Sequence, residues 1–444
     1  MSRMRDRRTG LSLLLTVCIV ALLGSTGCSS ATSSAASAPA APDIQHSVTP
    51  NAAAPPDAAG AAHGAPVPAS PQDAALQLEA LLGQHAVLAA DMMRGRIRND
   101  EDFGQAASAA IGRNTDDLAQ LVGALFGAPA ADQFRNLWAN HVTALFNYSS
   151  GLATDNPGTR DQARAELVRF ENSLAEFFSS ASQGRLDPQA ARSAVLTHVD
   201  HLLEQADAYA MGDYARSNEL DRQGYTHTFG LGHTLATTLL PADQAAVLAE
   251  PQWRLRSELA RLLGEHVALA IAALRAGATD SPDFAAAGAA LDGNTSDLTG
   301  AVSSLFGEPA GTDFMTLWAD HIDQLVAYTA GVAAQDPGRR DAAQAALRGV
   351  EQRLAGFLDA AAGSTLGSPA LAQALLAHDD MLLRQVDAFV AKDYPQANDL
   401  SYRAYQDMFG LARQLSDAFG ATAAARLPTG GAQTGAGGTA PGPR

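Results

Sequence analysis

The sequence predicts an all-α fold of two tandem up-and-down helical bundles, each of about six helices, and three observations carry that reading. The chain is rich in alanine and only 6% aromatic, which favours helix, because alanine costs least in a helix whereas sheets draw on branched and aromatic side chains. Apolar residues recur every three or four positions, most clearly at Phe134, Leu137, Trp138, His141, Leu145, Tyr148 and Leu152, and no stretch alternates as a strand would. The chain also repeats itself at a fixed offset, the mark of a duplicated structural unit.

The repeat sets the domains. Asn114-Thr115-Asp116-Asp117-Leu118 returns as Asn294-Thr295-Ser296-Asp297-Leu298, and Leu137-Trp138-Ala139-Asn140-His141 returns as Leu317-Trp318-Ala319-Asp320-His321. The same spacing pairs His198 with His378, Tyr214 with Tyr394 and Phe229-Gly230-Leu231 with Phe409-Gly410-Leu411, while His85 and His266 lie one residue further apart. These matches place domain one at 71–240 and domain two at 251–420. In the first copy, turn signals divide the chain into helices near 72–97, 101–126, 130–153, 158–182, 188–210 and 213–240. Asp187-Pro188 is a capping residue followed by proline at the first helical position, repeated as Ser368-Pro369, and Gly127, Gly184 and Gly212 stand where helices should stop.

The ends of the chain read differently. Arg3, Arg5, Arg7 and Arg8, an apolar stretch from Leu11 to Leu23 and small residues before Cys28 follow the three-part pattern of an export signal over 1–27. Ser25-Thr26-Gly27-Cys28 resembles the lipobox of bacterial lipoproteins, which implies acylation of Cys28 and attachment to the outer face of the cell membrane; an ordinary secretory cleavage, giving a secreted protein, is the alternative. Residues 28–70 are Ala, Pro, Ser and Gly with few large apolar side chains and read as a disordered tether, as 427–444 reads as a disordered tail. The other cysteine, Cys18, lies in the signal, so the remaining chain can form no internal disulfide and no cysteine-based metal site. A net charge of -17 argues against nucleic acid as a partner.

The candidate chemistry lies in three histidines per copy on apolar stripes of odd-numbered helices: His85, His141 and His198, then His266, His321 and His378. Odd-numbered helices of an up-and-down bundle run the same way. The three start-to-histidine distances differ by about four residues, or roughly 6 Å of rise, so the rings can meet in one layer. Three neutral imidazoles inside a bundle suit copper or zinc, with Asp200 or Asp380 as supporting carboxylate or fourth ligand and Met92, Met93, Met381 and Met408 as soft donors for copper. The rival reading is that each imidazole packs in the core and fixes helix register through partners such as Asn114, Asp117 or Tyr148. Trp138 and Trp318 read as core anchors. Asp207, Asp213 and Asn218, with Asp387, Asp393 and Asn398, read as capping residues, and His201, His227 and His233 are private to domain one. Glu-x-x-His, His-Glu-x-x-His, a P-loop, a Rossmann glycine fingerprint and Gly-x-Ser-x-Gly are all absent.

On the segments Asn294-Thr295-Ser296-Asp297-Leu298 and Leu317-Trp318-Ala319-Asp320-His321, with Tyr328 and the late Tyr405, each domain resembles a family of secreted helical proteins of Gram-positive and related bacteria built on a repeated Leu-x-x-His pattern. The likeness spans nearly all of both domains. A histidine in that family often follows the late tyrosine by two; Tyr225 has His227, but Tyr405 has Asp407. The resemblance implies the helical fold and an envelope location and brings no established activity. The functional expectation is a non-enzymatic envelope lipoprotein serving as a binding or scaffold module, with an envelope protein as a candidate partner. The alternatives are a copper- or zinc-binding protein and an enzyme with a site between the domains.

Overall fold

The computed structural model describes residues 70–424, together with 68 and 426. The export signal, Cys28, all but the end of the tether and the tail from 427 lie outside the described residues. Among the described residues the chain forms thirteen α-helices and a short 3-10 turn, with no strand. The first repeat comprises α1 (Pro71–Ile97), α2 (Glu101–Phe126), α3 (Ala128–Ala153), α4 (Pro157–Ala181), α5 (Pro188–Ala210) and α6 (Tyr214–Leu239). A connector holds α7 (Ala242–Ala245) and the 3-10 turn Ala246–Ala249. The second repeat comprises α8 (Pro251–Ala278), α9 (Phe284–Phe306), α10 (Glu308–Ala333), α11 (Pro337–Ala361), α12 (Ser368–Val390) and α13 (Tyr394–Ala424), the last broken at Gly420. No described helix is long and apolar enough to cross a membrane.

Local chemistry accounts for these boundaries. Asp187 caps α5 by accepting from the Ala190 N–H ahead of Pro188 at the first helical position, as expected. Its counterpart departs from expectation. Ser368 already lies inside α12, the cap position falls to Gly367 at φ 76°, and Asp359 of α11 accepts the N–H groups of Leu366, Gly367 and Ser368 instead. Asp213 and Asp393 cap α6 and α13, as read from the sequence. Asp207 and Asp387 do not cap; they accept from the hydroxyls of Tyr148 and Tyr328 at 2.7 and 2.8 Å. Asn218 and Asn398 do not cap either: Asn218 donates to the Tyr214 carbonyl, and Asn398 accepts from Arg275.

α1 and α8 are the central helices. Each is buried on nearly every face, as a helix surrounded by others must be. α1 packs against α2, α3, α5, α6, α8 and α13, and α8 against α9, α10, α12, α13, α1 and α6. The contacts between repeats are reciprocal: α6 rests on α9 as α13 rests on α2, and α1 lies against α8. Such self-complementary pairing is the pattern of a two-fold interface. On that pseudo-axis the hydroxyls of Tyr225 and Tyr405 meet at 3.1 Å, and Phe229 and Phe409 stack with centroids 6.5 Å apart. Gly83 and Gly264 permit the approach, since a Cβ on either would lie 2.8 Å from the Tyr405 hydroxyl or 2.6 Å from the Tyr225 hydroxyl. One apolar cluster therefore runs through both repeats, which pack as a single compact unit.

Candidate functional site

The helices deliver the six histidines to two layers, one per repeat, and all six are buried. In the first, α1 contributes His85, α3 His141 and α5 His198, with ring centroids 5.0, 5.4 and 5.7 Å apart. In the second, α8 contributes His266, α10 His321 and α12 His378, at 5.7, 6.1 and 6.5 Å. Within each triad one ring nitrogen per residue lies within 4.8 Å of the others. Trp138 and Trp318 pack 4.7 Å from His85 and His266 respectively, and Asn114 and Asn294 tie α2 and α9 to the Leu81 and Leu262 carbonyls, each bond 3.0 Å long.

The two layers differ in hydrogen bonding, and the difference sets what each can do. In the first, the indole N–H of Trp138 donates to His85 Nδ1 at 3.2 Å. An indole can only donate, so Nδ1 is the unprotonated nitrogen and the proton of the neutral ring sits on Nε2. The Thr228 hydroxyl gives its proton to the Gly224 carbonyl and accepts from His198 Nδ1 at 2.9 Å. His141 lies flat on Phe170, centroids 4.3 Å apart, with no side-chain partner for either nitrogen and only the Trp138 backbone beside it. Burial drives the pKa of all three down, His141 to about 3, and the mutual proximity of the rings adds to the effect at His85 and His198. These rings are neutral.

In the second layer the Trp318 indole has no acceptor, and both nitrogens of His266 and of His378 lack partners. His321 Nδ1 donates to Glu351 of α11 at 2.9 Å and stands 3.5 Å from Asp379 of α12. Burial works against a charged His321, but the Asp379 and Glu351 carboxylates outweigh it and raise its pKa. Burial pushes Asp379 up to about 7, the neighbouring Glu351 adds to the rise and His321 opposes it. His266 falls well below its ordinary value and His378 to about 3, chiefly through burial. A partly open, largely apolar cavity of about 50 Å³ is bordered by all three histidines, both carboxylates, Trp318 and Met408. A cavity of about 100 Å³ in the first repeat touches His198, Trp138 and Thr228 but not Glu171, His85 or His141.

Glu351 and Asp379 were missed from the sequence, and the carboxylates chosen there are elsewhere. Asp380 is half exposed and pairs with Arg384, and Asp200 is exposed. Two residues along a helix is about 200° around it, so neither could share a face with its histidine. Glu351 was detectable, for Glu171 occupies the matching position and is also buried; Asp379 was not, because Val199 replaces it in the first copy. The register partners proposed for the histidines are engaged elsewhere, Asn114 with Leu81, Asp117 with Tyr402 and Tyr148 with Asp207. Of the four methionines only Met408 reaches a histidine layer's cavity. Also unforeseen is a buried arginine in each repeat: Arg94 bonds Gln205 and Ser217 and pairs with Asp221, and Arg275 bonds Gln385, Asn398 and Ser401.

Of the histidines private to the first repeat, His233 pairs with buried Glu79 at 3.1 Å, and the His201 and His227 rings lie 5.6 Å apart. The latter two line an open cleft of about 740 Å³ between α5, α6 and α9. There Arg222 is already committed to Glu265 and Asp297 at 2.9 and 2.7 Å. No protein-family model matches the chain, and neither does any curated protein or solved structure.

Proposed function

We propose that this protein is a non-enzymatic binding protein of the cell envelope whose buried histidine layers take up a transition-metal ion, copper or zinc. The observation that carries the reading is the convergence, from three helices in each repeat, of imidazole nitrogens that are buried and mostly unpartnered. Buried polar groups are nearly always hydrogen-bonded, and each one left unpaired costs about 1–3 kcal/mol. An ion would occupy several of these nitrogens at once. Neutral imidazole is also the form that ligates, and burial keeps five of the six rings in it. In this reading Cys28 carries the lipid, and residues 28–70 hold the helical body off the membrane.

Metal content of the full chain after dialysis against copper or zinc, compared with a chain carrying both His141→Ala and His321→Ala, tests the proposal. Near-stoichiometric metal that the double variant loses is the expected result. No bound metal, with the variant merely less stable, would overturn it. A second reading, of a scaffold whose histidines only fix helix register, is favoured in the first repeat by the Trp138–His85 and Thr228–His198 bonds, which hold two of its three rings without any ligand.

A further inference from the structure

Building on the metal-binding reading, we infer that the two layers have parted in role. The second repeat alone holds a divalent ion of the zinc type, on His266, His321, His378 and Asp379, while the first layer serves packing.

Three independent features point this way. The first is tautomer. A metal on His85 Nε2 would require the proton to sit on Nδ1, directly against the donating indole N–H of Trp138. His266 carries no such bond although its ring is equally close to Trp318. The second is the support of a ligand. Metal-bound histidines characteristically donate their other N–H to a carboxylate, which fixes ring orientation and raises basicity. His321 already does so to Glu351, leaving its Nε2 unpartnered. His141, its equivalent, has no such partner.

The third is charge. A divalent ion moved into a protein interior is strongly penalised unless paired. The second layer places two carboxyl groups, Asp379 and Glu351, beside His321 as counter-charge for the ion. The first layer has Val199 at the position of Asp379, and Glu171 makes no bond to His141. Asp379 and one Glu351 oxygen are buried, and Asp379 stands 3.5 Å from His321 Nδ1 and against Glu351. Tetrahedral zinc at its usual bond lengths sets donors about 3.4 Å apart. The triad nitrogens lie within 4.8 Å of one another, and so do the ligand atoms of His321, Glu351 and Asp379, the two groups sharing His321.

Zinc titration of the full, metal-stripped chain by calorimetry, with cobalt(II) as a spectroscopic stand-in, decides the matter. The expected result is one equivalent of zinc and a cobalt visible spectrum of four-coordinate strength. His378→Leu should abolish both, and Glu351→Gln, which preserves shape and leaves the ligands in place, should weaken zinc about 10–100-fold. Two equivalents, or one equivalent indifferent to both substitutions, would overturn the assignment to the second repeat while leaving metal binding intact. Copper(I) bound without zinc would overturn the divalent class. Neither zinc nor copper bound would overturn this inference and the broader reading together, with water left as the occupant of the cavity.

Discussion

Replacing His141 by leucine should make the protein more resistant to acid by an amount that can be worked out. The ring is fully buried, stacked on Phe170 and without a side-chain partner at either nitrogen, and burial, only partly offset by the Trp138 backbone, takes its pKa down to about 3, against about 6.5 for a free histidine. Between those values the unfolded chain takes up a proton at this residue and the folded chain does not. The stability it contributes is therefore full above about pH 6.5 and is lost as pH falls toward 3. At pH 5 the unfolded state is favoured by about 1.5 pH units at roughly 1.4 kcal/mol each, or about 2 kcal/mol. Leucine is close in volume and leaves no unpaired nitrogen, so the change at neutral pH should stay within about 1.5 kcal/mol of either sign. Urea unfolding of both proteins at pH 7.5 and pH 5, with a chelator present and equal slopes required, isolates the effect. The stability difference should move by about 2 kcal/mol in favour of the variant at pH 5. Parallel losses in the two proteins would mean that folded His141 titrates, and a neutral first layer would be refuted.

Two further outcomes follow from the packing and from the chain's N-terminal segment. Gly83→Ala and Gly264→Ala each push a methyl group into a tyrosine hydroxyl on the pseudo-axis. Each should cost about 1–3 kcal/mol, read as a fall of several degrees in a thermal melt; unchanged midpoints would show that Tyr225 and Tyr405 can move aside freely. Cys28→Ala should release the protein from the membrane fraction of its host into the soluble one, since a diacylglyceryl group supplies the two chains that stable attachment needs. An unchanged membrane fraction would eliminate the lipid anchor.

Helix positions were legible because each boundary has a local cause. The six helices expected in the first repeat match α1–α6 to within two residues at every end, since proline, capping aspartate and positive-φ glycines such as Gly127 and Gly212 act within one turn. The histidine layers were legible because the apolar stripe fixes which face turns inward. The supporting atoms were not. Thr228 and Glu351 each lie 30 residues from the histidines they bond, and only the packed helix pair brings them together. The arginines Arg94 and Arg275 escaped notice because a charged residue near the end of a helix reads as surface, whereas α1 and α8 are enclosed along their length. The reciprocal contact of the repeats was equally hidden, for duplication reveals that two units exist and says nothing of which faces they share.

That duplication makes the divergence of the layers informative. Both descend from one arrangement of three imidazoles beside an indole, with the Trp–His centroid distance still 4.7 Å in each. Burying three imidazoles leaves nitrogens to satisfy, and the repeats solve this in opposite ways. The first uses neutral partners, Trp138 and Thr228, which settle two of the three tautomers. The second draws in two carboxylates beside His321 and leaves the Trp318 indole without an acceptor, while His141 in the first layer and His266 and His378 in the second have no side-chain partner. For packing alone the second solution is the poorer one, because buried charges rarely repay their desolvation and an apolar replacement is often as stable or more so. Valine at position 199 shows that the fold accepts such a replacement at the site matching Asp379. On the metal-binding reading, the carboxylate kept where valine fits gives the second layer the counter-charge that a cation needs and that the first layer lacks.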